Sequence, residues 1–366
     1  MDDIVFVTAD SVRADYVDEM EYVSSFDVAT GMTAAQYTRP SLASIHASSY
    51  ESVLTGRVNE PTLAQALSDA GYTCLGCSPN PNTDATFGFA EGFDRYDSFI
   101  EPGNRGSGLR QYLANFDILR RIYYKFYPPH AKSENRPRDR EVVEQAIEWF
   151  NAADGPRFLW VHLMETHRPY GAGDDAVSEA LDQKAFFNPE ELTDAEAAEI
   201  ERKYRDSLER ADENVRHLLA EIDSDDPTFV FTADHGEGFG DEGYYFHQPQ
   251  LRRVDDCLVE VPVVFDGIDA EGPCSLLDLT PTIAASAGAD VADRWDGNDL
   301  RETTTDYTIT IAPWHEQATV LWQDFERRLV SRDARVTFES RETETGVEDE
   351  VPEELQGQLR DLGYVE

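Results

Sequence analysis

The segment Thr232-Ala-Asp-His-Gly-Glu-Gly-Phe-Gly-Asp-Glu-Gly243 sets a carboxylate and an imidazole, Asp234 and His235, side by side at the head of a glycine-rich turn. Paired oxygen and nitrogen donors suit a divalent cation of intermediate hardness such as Mn2+ or Zn2+, and the glycines let backbone approach ion and substrate. Asp10, in Thr8-Ala-Asp-Ser-Val-Arg-Ala-Asp15, supplies a further carboxylate. Thr38, in Tyr37-Thr-Arg-Pro-Ser-Leu42, offers a hydroxyl just ahead of a proline-initiated helix, whose free N–H groups and dipole favour a tetrahedral anion. A metal on that hydroxyl would lower its pKa and supply an alkoxide near neutral pH, which an unaided threonine cannot do.

Those side chains need elements that bring them together. Short apolar runs at residues 4–7, 158–161 and 229–231 end abruptly at Asp10, His162 and Asp234. In open α/β sheets ligands bind outside the carboxyl ends of parallel strands, so the three side chains are expected to converge. Further strands are expected at residues 73–77 and 261–265, the second opening after Pro262. Helical signals alternate with these runs, as βαβ units require. Thr62 caps one helix that Gly71 ends, residues 141–150 carry an apolar face, and Thr193-x-x-Glu196 has the spacing of a capping box before a long polar helix. Residues 275–287 read as another helix, with a kink expected at Pro281. From Thr303 the alternation at 307–311 and 329–338 predicts a small antiparallel sheet, followed by a helix near 352–362. The expected organisation is a catalytic α/β domain over residues 1–302 and a small α+β subdomain over 303–366. The aromatic and basic stretch 103–138 reads either as a helix packed on the main domain or as a cap over the site.

Composition narrows the function classes. The 366 residues hold 31 Lys plus Arg against 73 Asp plus Glu, a net charge of −42, with 40% hydrophobic and 11% aromatic residues. That apolar content marks a folded chain, and the charge repels nucleic acid and anionic lipid. Only four cations are lysines, Lys125, Lys132, Lys184 and Lys203, a pattern expected of a surface adapted to concentrated salt, where the self-repulsion of carboxylates is screened. An anionic substrate must then be held by local cations or a metal. The opening MDDIVFVTAD lacks the positive charge and apolar core of a secretory signal, and no apolar run approaches the ~20 residues of a membrane span, so a cytoplasmic location is expected. Cys74, Cys77, Cys257 and Cys274 read as buried thiols rather than a disulfide scaffold.

Taken in order, the motifs resemble the sulfatase branch of the alkaline phosphatase superfamily. The resemblance rests on Asp10-Ser-Val-Arg-Ala-Asp15, Thr38-Arg-Pro-Ser41, His162-Leu-Met-Glu-Thr-His167-Arg-Pro-Tyr170 and Asp234-His-Gly-Glu237. Weaker echoes are Thr62-Leu-Ala-Gln-Ala-Leu-Ser-Asp-Ala-Gly-Tyr72, Phe87-Gly-Phe-Ala-Glu-Gly-Phe-Asp94, Leu277-Asp-Leu-Thr-Pro-Thr-Ile283 and Leu362-Gly-Tyr364. The resemblance implies a sandwich of helices around a mostly parallel sheet. It implies one divalent ion, Mn2+, Zn2+, Mg2+ or Ca2+, held by Asp10, Thr38, Asp234 and His235, with Thr38 as nucleophile. It also places His162, His167 and His247 around the transferred group, and Arg39 beside the nucleophile to help hold the anion.

Three departures bear on the chemistry. Thr38 stands where sulfatases carry the Cys or Ser that becomes formylglycine, and threonine cannot give that aldehyde. Leu42 replaces the arginine that supports the modified residue, and Ser11 replaces a common metal-binding Asp. The departures fit relatives that use threonine directly on phosphorus. The expected activity is hydrolysis of a phosphate ester, or of a sulfate ester, in a small-molecule, glycan or lipid substrate. A noncatalytic binding protein on the same fold is the alternative from another class.

Overall fold

The computed structural model describes residues 2–99, 137–171, 175–270, 272–314, 317–324 and 326–337. Eight strands make the main sheet: β1 Ile4–Ala9, β2 Val28–Met32, β3 Thr73–Cys77, β4 Arg95–Asp97, β5 Arg157–Leu163, β6 Thr228–Ala233, β7 Glu260–Asp266 and β8 Cys274–Ser275. Their order is β4-β3-β5-β1-β6-β7-β2-β8, and every pairing is parallel except those of β7 with β6 and with β2. Every residue of β1 is buried, which requires that both faces of the sheet be covered. The α/β expectation and the mostly parallel sheet are therefore observed.

Helices cover that sheet. The Asp139–Ala152 helix buries Val142, Val143, Ala146, Ile147 and Phe150 along one face. Thr62 and Gln65 close a capping box ahead of the Leu63–Asp69 helix, and Thr193 and Glu196 close another ahead of Asp194–Glu221. Two details differ from the sequence reading. Pro281 does not kink a long helix: a 3-10 turn, Leu276–Asp278, leads into the Leu279–Ser286 helix, and Pro281 lies in its first turn, where a missing N–H costs nothing. Pro262 lies inside β7 rather than before it. The β6 register stops at Val263, so Pro262 removes no ladder bond on that side.

The smaller sheet joins β9 Thr308–Trp314, β10 Gln317–Gln323 and β11 Arg328–Ala334 in the antiparallel order β11-β10-β9. It is tied to the main domain next to Thr38: Ile311 N donates to Ala34 O at 2.8 Å, and Thr310 Oγ1 donates to Thr33 O at 2.6 Å. The expected helix near 352–362, the Leu362-Gly-Tyr364 echo and all but the last two residues of the stretch 103–138 lie outside the described residues. All four cysteines are free, with Cys257 half-buried and the others buried, and burial pushes the Cys74 and Cys77 thiols up to about 12. No helix among the described residues is long and apolar enough to cross a membrane.

Candidate active site

Register brings the strand ends level. Ala9 stands opposite Leu163 on β5 and Ala233 on β6. The next residues continue the ladder, with Asp10 N donating to Leu163 O at 2.9 Å and Asp234 N to Ala9 O at 3.1 Å. Asp10 and Asp234 thus leave adjacent strands at one height. Ser11 turns the chain with φ of 59°, a left-handed conformation uncommon for a non-glycine residue, and its N–H donates to Asp234 Oδ1 at 3.0 Å. On the far side Gly236 is required by close approach, since a Cβ there would stand 2.0 Å from Cys257 O.

Thr38 opens the Thr38–Ala47 helix after Tyr37. Its Oγ1 lies 3.1 Å from Asp10 Oδ2 and 3.3 Å from His235 Nε2. Ser41, one turn on, fixes the helix by donating to Asp234 O at 2.6 Å. One donor atom from each of Asp10, Asp234 and His235 lies within 4.8 Å of the others, all three residues being buried. His235 Nδ1 sits 2.8 Å from Gly236 O, which places the proton on Nδ1 and leaves Nε2 as a lone pair. Asp234 Oδ2 is buried with no hydrogen-bond partner among the described residues. Burial and the charge of Asp10 push the Asp234 carboxyl well above the usual range. An orphaned carboxylate oxygen beside a second buried carboxylate and an imidazole lone pair is a donor set that fits a divalent cation.

A second group shares Asp10. Its carboxylate, His167 and His247 also offer donor atoms within 4.8 Å of one another. The His247 ring is 4.4 Å from His235 and 5.3 Å from His167, centroid to centroid. Burial works to raise the Asp10 carboxyl, but His167, the nearby His162, and then His235 and His247, each attracting the carboxylate when its ring is protonated, hold it well below the usual range. Burial and then the neighbouring His235, when it carries a charge, pull the His247 imidazole well below its ordinary value.

The remaining sequence candidates fall elsewhere. His162 is sealed beneath Asp10: its Nδ1 meets Thr8 Oγ1 at 2.9 Å, and its Nε2 lies 3.8 Å from Asp10 Oδ2, beyond hydrogen-bond distance. Arg39 lies with its guanidinium 4.5 Å above the Phe87 ring and its Nε against Gly56. Sequence reasoning missed Asn80, whose Nδ2 lies 3.5 Å from Asp10 Oδ2 and 3.1 Å from Met164 Sδ. The signal was available, because Asn80 lies in the loop that leaves the carboxyl end of β3, ahead of the 3-10 turn Pro81–Thr83, on the same rim of the sheet as Asp10. Glu237 was noticed only as part of a motif, and its contact with His247 is made by folding.

Residues 2–289 match the family model described as sulfatase. The chain belongs to the sulfatase family. Its fold is similar to that of a protein in the alkaline phosphatase superfamily from Vibrio parahaemolyticus, with a TM-score of 0.55, 15% identity and coverage of 99% and 85% of the two chains. It is 28% identical over 160 residues to the low-salt glycan biosynthesis sulfotransferase Agl7 of Haloferax volcanii, covering 40% of this chain and 36% of that one. It is 24% identical over 224 residues to the ulvan-active sulfatase of Formosa agariphila, covering 56% of this chain and 44% of that one. The chain therefore spans less than half the length of either relative. Its fold is similar to the phosphonate monoester hydrolase from Silicibacter pomeroyi, with a TM-score of 0.63, 17% identity and coverage of 91% and 87% of the two chains. It is likewise similar to the C-terminal periplasmic domain of EcEptC from Escherichia coli in complex with Zn, with a TM-score of 0.59, 15% identity and coverage of 87% and 91%.

Proposed function

We propose that the protein is a metal-dependent hydrolase that cleaves a phosphate ester through Thr38. The observation that carries this reading is the placement of Thr38 Oγ1 3.1 Å from Asp10 Oδ2 and 3.3 Å from His235 Nε2, at a helix N-terminus. Asp10, Thr38, Asp234 and His235 are the residues that would hold one divalent ion, Mn2+, Zn2+, Mg2+ or Ca2+, which when bound offsets negative charge on the ester oxygens and favours the ionised hydroxyl. Thr38 Oγ1, its hydroxyl proton released to water, attacks phosphorus in line while the bond to the leaving alkoxide breaks, and His167 or His247, having taken up a proton from water, delivers it to that alkoxide. A threonyl phosphoester remains, and water hydrolyses it from the vacated side. The free N–H groups of the Thr38–Ala47 helix favour the anion throughout. His162 acts through Asp10, whose carboxylate it backs, and Arg39 through the packing of the helix start.

A sulfate ester is the second reading, favoured by the named activities of the two sequence relatives, and both point to a glycan as the substrate class. Phosphorus is favoured by Thr38 itself, which has no route to formylglycine and so must attack directly. The acidic, lysine-poor composition supports a protein that works in concentrated salt. The test is parallel turnover of methyl 4-nitrophenyl phosphate and 4-nitrophenyl sulfate at molar salt with each of the four ions. Phosphodiester turnover that requires the ion is expected. Turnover of the sulfate alone would replace phosphorus with sulfur as the target, and turnover of neither with any ion would remove the hydrolase reading.

A further inference from the structure

Arginines drawn into this fold are lodged against carboxylates. Arg13 touches Asp15 and Asp241, Arg157 touches Asp3 and Arg168 touches Asp182, as expected where 73 acids face 31 bases. Arg39 is the exception. It is half-buried, its Nε is sealed from water without an acceptor, and neither it nor Arg57 has a carboxylate partner among the described residues. The two heads are neighbours. A Cβ on Gly56 would stand 3.0 Å from Arg39 Nε and 3.7 Å from its Cζ, Arg57 is the next residue, and its positive charge repels that of Arg39. Val58 N donates to Phe87 O at 2.8 Å, which pins the same segment to the turn whose Phe87 ring lies 4.5 Å beneath the Arg39 guanidinium. Asn59 adds an amide Nδ2 that is likewise sealed with no acceptor. The face of Phe87 attracts one guanidinium but does not relieve the repulsion between two. Every unspent group in this segment is a donor, so the partner that completes it is an anion.

We propose that Arg39 and Arg57 form a subsite for a second anionic group of the substrate, a carboxylate or a phosphate joined to the reacting ester by a short carbon skeleton. This rests on the reading of Asp10, Thr38, Asp234 and His235 as the seat of the reacting ester. Arg39 follows Thr38 in the chain, so its head stands within one side-chain length of the helix start that faces the ester, and one small molecule can reach both places. Guanidinium forks match the paired oxygens of carboxylate and phosphate. Such direct pairing survives salt that shortens the Debye length to ~3 Å at 1 M, whereas diffuse attraction does not. The stem of Arg39 packs the helix start, and its head supplies selection. In a chain of net charge −42 a doubly anionic ester is repelled more than a singly anionic rival, so only paired local cations can favour it.

The experiment titrates the Mn2+-loaded protein at molar salt and reads dissociation constants by calorimetry. The probes are ethyl phosphate, ω-carboxyalkyl phosphates of increasing tether length and alkanediol bisphosphates of the same lengths. In the wild type the best tethered probe should bind about tenfold or more tighter than ethyl phosphate, and the series that gains more identifies the second group as carboxylate or phosphate. Arg57→Gln should bring that ratio toward one, and Arg57→Lys should keep part of it, because the charge remains and the fork is lost. Melting curves of both variants close to that of the wild type separate the subsite from damage to the fold. A ratio near one for every tether in the wild type, or a ratio that Arg57→Gln leaves unchanged, overturns the subsite. If ethyl phosphate does not bind while tethered probes bind the wild type alone, the arginines stand and the seat of the reacting ester is wrong. Binding of none of the probes removes both.

Discussion

At the carboxyl ends of β1 and β6, charged groups are sealed from water, whereas on β11 even aliphatic side chains stand in it. Asp10 and Asp234 are 0% exposed, while Leu329 and Val330 are 63% and 44% exposed. Sealing two carboxylates side by side costs several kcal/mol unless cations or hydrogen bonds compensate, so a fold that keeps such a pair does so for a reason other than stability. An exposed leucine on an edge strand costs little and requires no reason. Stability and function are therefore written in different places: the rim of the large sheet gives up stability to hold charge, and the outer strand of the small sheet does neither job strongly.

The sharpest way to break that contrast is Thr38→Ala. Turnover should fall by about 10⁴-fold or more while the unfolding transition stays close to wild type, because only the hydroxyl is lost; kcat measured beside a melting curve checks both. An undiminished rate on every substrate would take Thr38 out of the mechanism. Asp234→Asn should come next. Divalent-ion affinity, read by titration calorimetry, should drop by more than the roughly 10–100-fold that outer-sphere partners of a metal cost. The metal-free protein should lose no stability, since an amide oxygen still accepts from Ser11 N and His235 N and the repulsion with Asp10 is gone. A variant that binds ions normally would contradict the donor set.

The third prediction concerns the core beneath the rim. His46 lies 4.1 Å from the Trp160 ring, centroid to centroid, and burial, helped by the charge of His162, pulls its pKa down to about 3. The folded value is depressed below the ordinary 6.5, so the contribution is whole above pH 6.5. It is lost at about 1.4 kcal/mol per pH unit as pH falls from 6.5 toward 3, because only the unfolded chain takes up the proton. His46→Leu should remove that slope from the difference between denaturation midpoints at pH 7 and pH 5, and an unchanged difference would show that the imidazole titrates alike in both states. The smallest effect belongs to β11, where Leu329→Thr and Val330→Thr should each shift unfolding free energy by no more than about 0.5 kcal/mol and leave turnover alone. A large loss in either would show that this strand is covered in the working protein.

Much of the architecture was legible because it depends on neighbours in the chain. Capping boxes at Thr62 and Thr193 reach only three residues ahead, and the apolar runs of β1, β5 and β6 announce parallel strands through their composition. Pro262 and Pro281 were misread because tertiary context, a strand partner that stops short and a 3-10 turn before the helix, decides what a proline does there. Asn80 escaped because an uncharged amide at a strand end draws no notice beside an Asp. The Tyr170–Glu237 contact spans 67 residues and leaves no local trace at all.

The order of residues alone determined which chemical groups stand at which strand ends, since strand and helix periods are short-range and a parallel sheet aligns its carboxyl ends whatever loops join them. Only the tertiary structure decided which lone pairs meet. Thr38 reaches His235 across 197 residues of chain and Ser11 reaches His247 across 236. Contacts of that kind follow from register, a left-handed turn at Ser11 and a close approach at Gly236, whose geometry is set by the packing of the whole domain.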